Sequence, residues 1–192
     1  MSCPPATRQA TLHRDALRTL RSWRAEDDPG QEALRRRYVE HLLDHLDGTD
    51  RACHPAHLTA GALVVSADHA RVLLTLHAKA RRWFHLGGHC EPADTTLAGV
   101  ALREATEESG IDGLRLDPTP VQLDAHLVPF CAGHREVTHL DVRFLAVSPA
   151  GAVPAVSEES LDVRWWPADA LPTADPDMAA LVRLGLGRLR ER

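Results

Sequence analysis

Three glutamates in the segment LREATEESGI, residues 102–111, have a spacing that suits chemistry. Glu104, Glu107 and Glu108 stand at i, i+3 and i+4, so a helix through them gathers three carboxylates into an arc of roughly 100°. A like-charge pair at i, i+4 costs an isolated helix roughly 0.2–0.5 kcal/mol, so the cluster needs a compensating cation. Arg103 stands four residues before Glu107 and is placed to pair with it and fix its orientation along the helix. That offsets one charge of three. Clustered carboxylate oxygens are the hard ligands that Mg²⁺ and Mn²⁺ prefer, so the remaining negative potential predicts a divalent-cation site.

Upstream, the segment GGHCEPAD follows a predicted strand. Its glycines let backbone amides and carbonyls approach a metal or a phosphate where a side chain would collide. Gly88, Arg103, Glu104, Glu107, Glu108, Gly110 and Ile111 together resemble the Nudix box, G-x5-E-x7-R-E-U-x-E-E-x-G-U, with U a bulky apolar residue. Asp94 stands where the pattern has its first glutamate. Eight residues rather than seven separate Asp94 from Arg103, and Ala105 replaces a bulkier apolar residue. The longer spacing leaves open whether Asp94 or Thr95 occupies the position of that first glutamate.

The resemblance implies that Glu104, Glu107 and Glu108, with the carbonyl of Gly87, hold Mg²⁺ or Mn²⁺ against a diphosphate, and that Arg103 orients the set. It implies hydrolysis of a nucleoside diphosphate linked to some moiety X, a small-molecule partner, with Gly88 and His89 on the substrate. In the segment VSEESLDVRWWP, residues 156–167, Glu158 or Glu159 resembles a further glutamate that serves as metal ligand or base. Two other activities share the fold. An isopentenyl-diphosphate isomerase-like enzyme would use Cys90 and His89, and a non-catalytic nucleotide-binding module would dispense with the box carboxylates. The intact R-E-x-x-E-E favours hydrolysis over both.

The elements that must position these residues read as α+β, and the resemblance makes them an α/β/α sandwich with a mixed sheet. An N-terminal helical hairpin comes first: apolar positions repeat at Leu12, Ala16, Leu20 and Trp23, then at Leu34, Tyr38, Leu42 and Leu46, as in two amphipathic helices. These stripes predict packing against the catalytic unit or against a second copy, so a homodimer is one expectation. A boundary near residue 52 divides the hairpin, 1–52, from a Nudix domain, 53–192.

Strands are predicted at 57–65, 71–77 and 82–88, and then, by alternation, at 121–128 and 138–147. In the last of these Leu140, Val142, Phe144 and Ala146 alternate with His139, Asp141 and Arg143. The box helix carries an apolar stripe at Ala98, Leu102 and Ala105, with Gly110 as its stop. A strand near 161–167 and a closing helix capped by Asp175 or Asp177 complete the order.

Apolar residues at 44%, charged residues at 26% and a net charge of −5 fit a soluble globular chain without a general polyanion-binding surface. A nucleic-acid polymer is not an expected partner, and no apolar run reaches the roughly 20 residues of a membrane span. The N-terminus lacks an apolar secretory region and the four cysteines form no C-x-x-C pair, which points to the cytoplasm. Twelve histidines raise the question of zinc. His54, His57, His85 and His89 with Cys53 and Cys90 lack the paired spacing of a zinc finger.

Overall fold

The computed structural model describes residues 5–25, 28–131, 135–156 and 160–191. Two helices, α1 (Pro5–Ser22) and α2 (Pro29–Asp44), precede strands β1 (Ala56–Val65), β2 (Arg71–His77), β3 (Trp83–Phe84) and β4 (Leu86–His89). The box helix α3 (Leu97–Ser109) follows, then β5 (Arg115–Cys131), β6 (Arg135–Val147), β7 (Ser160–Pro167) and α4 (Pro176–Arg190). The expected class is observed: an α+β arrangement with a mixed sheet behind two N-terminal helices.

All seven strands join one sheet, in which β3-β2-β1-β6-β5 run side by side, β4 pairs with β1 and β7 with β2. Among the described residues only the central β1–β6 ladder is parallel, in register from Ala56↔Thr138 to Val65↔Val147. Every residue of β1 is buried: helices α1–α3 cover one face and α4 the far end of the other, which accounts for the apolar run Ala60–Val65. On one face Leu58, Ala60, Ala62 and Val64 meet Leu140, Val142, Phe144 and Ala146 and the apolar stripes of α1, α2 and α3. On the other, Leu63, Val65, Val72, Leu74 and Leu145 meet Met178, Leu181 and Val182 of α4. None of the described helices is long and apolar enough to cross a membrane.

The hairpin buries Leu12, Ala16, Leu20, Trp23, Tyr38 and Leu42 in the first of these cores. Leu46 is 80% exposed, because α2 stops at Asp44 before the stripe reaches it. Polar contacts fasten the helices. Gln31 donates to the carbonyl of Leu123 at 2.9 Å and accepts from its amide at 2.7 Å, satisfying backbone groups on β5, the last strand of the ladder order. Tyr38 donates its hydroxyl to the carbonyl of Asp124 at 2.5 Å.

The box helix is bounded as its sequence dictates. Thr96 caps it by accepting from the Gly99 amide at 3.0 Å, and Gly110 ends it at φ +64, a left-handed conformation that favours glycine. The expected stripe is displaced. Leu97, Val100, Ala101, Ala105 and Ser109 are buried while Leu102 is 36% exposed. This seats small residues against the sheet and turns Glu104 and Glu108, each three residues beyond a buried alanine, toward β4.

Buried Asp15 of α1 accepts from the Leu97 amide at 2.9 Å, so the N-terminal helix satisfies a backbone donor in the first turn of the box helix. Asp15→Ala is expected to lower unfolding free energy by roughly 1–2 kcal/mol. Urea denaturation measures this, and an unchanged midpoint would show the contact to be dispensable.

Candidate active site

A two-stage clamp positions the carboxylates. Arg103 reaches back from α3 to the preceding loop and donates twice to Asp94, from Nε at 3.2 Å and from Nη2 at 2.9 Å. The same guanidinium donates from Nη1 to Glu104 and to Glu107, each at 3.0 Å, and from Nη2 to the His89 carbonyl at 2.9 Å. The Asp94 loop is itself closed: its carboxylate accepts from the Glu91 amide at 2.8 Å and its amide donates to the Glu91 carbonyl at 3.0 Å. Desolvation would lower the Arg103 pKa, but Asp94, Glu104 and Glu107 outweigh it and raise it further above its ordinary range. The guanidinium is a permanent cation at the centre of four acidic side chains, Glu91 included at 3.8 Å.

The arginine thus offsets more of the cluster than i, i+4 spacing indicates, since it reaches Glu104 as well as Glu107. The Asp94 carboxylate meets the guanidinium despite the extra residue between Asp94 and Arg103.

The three helix carboxylates differ in setting. The Glu107 side chain is 60% exposed and that of Glu104 16%. Glu108 accepts from the Gly87 amide at 3.1 Å. A Cβ on Gly88 would lie 2.7 Å from the carboxyl atoms of Glu104, and one on Gly87 would lie 2.6 Å from the Gly61 Cα. Both glycines therefore permit the close approach of β4 to the helix and to β1 that makes this corner. The donor set fits a hard divalent cation: carboxylate oxygens from Glu104, Glu107 and Glu108 beside glycine backbone. Glu158 and Glu159 lie outside the described residues.

Behind this corner, the sheet face shared with α4 carries a polar tract that alternation alone does not reveal. Asp141 and Arg143 are only 5% and 7% exposed. Arg143 donates to Asp141 at 2.9 Å, to Gln122 at 2.9 Å and to Asp124 at 2.7 Å. Asp141 also accepts from Thr59 at 3.1 Å and lies 3.2 Å from His85 Nε2. Burial alone would raise the Asp141 carboxyl, but His85 and Arg143 overcome it and hold the group well below the usual carboxylate range.

The ring of His89 turns onto this same face and lies 5.1 Å from His57 and 4.9 Å from His139 between centroids. Burial drives His89 down to about 4. Neighbouring Cys90 is pushed up to about 12, again chiefly by burial, so it carries no thiolate at neutral pH.

The comparisons with known proteins give the family and the fold. The NUDIX domain profile matches residues 55–184. The chain belongs to the NUDIX family. Its fold is similar to a *Caenorhabditis elegans* Ap4A hydrolase binary complex at 20% identity and TM-score 0.56, over 70% of this chain and 98% of that one. It is similar to the NUDIX domain of *Shewanella oneidensis* NrtR complexed with ADP ribose at 20% identity and TM-score 0.54, over 79% and 97%. A NUDIX-family hydrolase from *Clostridium perfringens* gives 22% and 0.53, over 70% and 98%. Searched by sequence, curated proteins give no match. This NUDIX chain keeps the box carboxylates and adds a buried histidine-rich face whose third member, His139, local spacing could not reveal.

Because the Asp141 carboxyl titrates lower in the folded chain than the roughly 3.9 of an unfolded one, its stabilisation is present above that unfolded value and is lost as pH falls through the folded one. The stability difference between wild type and Asp141→Asn, measured by urea unfolding, is expected to be widest at neutral pH and to shrink below about pH 4. A difference independent of pH would show that the carboxylate charge contributes nothing.

Proposed function

We propose that this NUDIX protein is a divalent-metal-dependent pyrophosphohydrolase that cleaves a diphosphate linkage in a nucleoside diphosphate joined to a further moiety. The observation that carries the reading is the convergence of Glu104 and Glu108 on the Gly87–Gly88 backbone under an arginine clamped by Asp94. Mg²⁺ or Mn²⁺ held by Glu104, Glu107, Glu108 and the Gly87 carbonyl would offset phosphate charge and supply a bound water of lowered pKa.

The chain's own residues do the rest. Arg103 fixes the rotamers of Glu104 and Glu107 before any ligand arrives, so little ordering is left for the binding step. Gly88 keeps the space beside the Glu104 carboxyl free of a side chain. Glu159, or Glu158, is the candidate base that takes the proton of the attacking water. The backbone of His89, whose carbonyl accepts from Arg103, extends the site toward the substrate, while its ring lies on the other face of the sheet. The protonated Cys90, its Sγ 3.8 Å from the Leu58 carbonyl, favours hydrolysis over an isomerase that would draw on that cysteine. The catalytic unit is residues 53–192, and residues 1–52 form a helical extension whose Asp15 supports the box helix.

Substrate class is tested by incubating the protein with Mg²⁺ or Mn²⁺ and a panel of ADP-ribose, a nucleotide sugar, a dinucleoside polyphosphate and an oxidised nucleoside triphosphate, scoring released phosphate or nucleotide. Glu107→Gln and Glu108→Gln are each expected to cut turnover by at least about 10²-fold with an unchanged circular dichroism spectrum. Full activity in both variants would overturn the reading.

A further inference from the structure

The histidine cluster on the α4-side face of the sheet has no part in carboxylate chemistry, and its construction points to a ligand of its own. His57 of β1 and His139 of β6 are register partners in the parallel ladder, so their side chains share a face. His89 of β4 is paired with Thr59, one pleat along from His57 on that face. His126 of β5 pairs with His139 across the next ladder. The strands thus bring together residues from four segments of the chain. One ring nitrogen from each of His57, His89 and His139 lies within 4.8 Å of the other two.

Two features distinguish this group from histidines that merely fill a core. First, the Nδ1 of buried His57 lies 3.2 Å from the Cys53 carbonyl. A carbonyl only accepts, so Nδ1 carries the proton and Nε2 of the neutral ring presents a lone pair. A backbone carbonyl on the far ring nitrogen is a common means of orienting a metal-ligating imidazole. Second, Nε2 of His57 and Nε2 of His139 are both buried and have no hydrogen-bond partner among the described residues. Two orphaned buried ring nitrogens in contacting histidines leave a polar cost uncompensated. Burial, reinforced by the neighbouring imidazoles, takes His139 down to about 3, and burial lowers His57. Both rings are therefore neutral at physiological pH, the form that binds metal.

We propose that His57, His89 and His139 form a transition-metal site, of the kind Zn²⁺ occupies, separate from the carboxylate site on the box helix. Three imidazole nitrogens are borderline-soft ligands that select zinc over magnesium. Ligand nitrogens about 2.0–2.1 Å from a tetrahedral zinc stand roughly 3.4 Å apart, so closing from 4.8 Å or less asks only small ring movements. Three protein ligands leave a fourth position for water or a phosphate oxygen. His89 joins the two sites, because its carbonyl accepts from Arg103 at 2.9 Å while its ring lies in the cluster. This proposal does not depend on the hydrolase reading.

The test uses the full chain stripped with EDTA, given ZnCl₂ in the presence of excess Mg²⁺, dialysed and assayed for metal by mass spectrometry. About one Zn²⁺ per chain is expected to remain, and Co²⁺ in its place is expected to give the visible absorption of a nitrogen-ligated ion. His139→Gln and His89→Gln are expected to lose the bound zinc and the cobalt band. Glu107→Gln and Glu108→Gln are expected to keep both. Half-buried His89 decides the matter if His139→Gln fails to fold. Wild type that retains no zinc, folded histidine variants that retain it fully, or glutamate variants that lose it would each overturn the proposal.

Discussion

A guanidinium cannot shed its proton in a protein, and the corner around α3 is arranged about that fact. Arg103 collects Asp94, Glu104, Glu107 and the His89 carbonyl, fixing the loop before the helix, the helix itself and strand β4 at once. Each acidic partner is worth modest energy where it is exposed. The shared cation converts them into one constrained unit. Without it, Glu104 and Glu107 would lose the cation that fixes them, and only Glu108 would stay anchored, on the Gly87 amide.

The sheet behind that corner is asymmetric in a useful way. Its α1–α3 face is apolar along β1 and along β6 from Leu140 to Ala146, which makes a support for the box helix. The opposite face is apolar only under α4, at Leu63, Val65 and Leu145. Toward the other end of the same strands it carries Arg143, Asp141 and the histidines. A charged network this enclosed persists because each guanidinium nitrogen of Arg143 donates to an acceptor; a missing carboxylate would leave a buried charge uncompensated. The network reaches the histidine cluster through His126, which bonds to Asp124 and packs its ring on His139.

The box was legible because its chemistry lies in local spacing: glycine, arginine and three glutamates within one loop and one helix. Two helix ends were legible for the same reason: Gly110 was read as the stop of the box helix, and Asp175 or Asp177 as the cap of α4, where Asp175 takes the role. The apolar stripe of α3 was read through Leu102, yet the helix turns Leu97, Val100, Ala101 and Ala105 to the core and leaves Leu102 at its edge. The alternation of His139, Asp141 and Arg143 with apolar residues resembles a half-solvated strand, and nothing local indicates that both faces are covered. Pairing of His57 with His139 depends on the register of two strands distant in sequence, which periodicity within either strand does not contain.

That parallel ladder also sets a condition on how the chain comes to be folded. Thr59 and Asp141, bonded side by side, are 82 residues apart in sequence, so the sheet's middle strand lacks its principal neighbour until residue 147 has left the ribosome. Before then β1, apolar along nearly all its length, has β2 and β4 on one flank and an open row of amides and carbonyls on the other. Such an unpaired flank is a template for foreign strands. Nascent chains stalled before β6 should accordingly be the species that aggregates or recruits chaperones, while chains stalled after it need only add an outer strand and a helix to a closed centre.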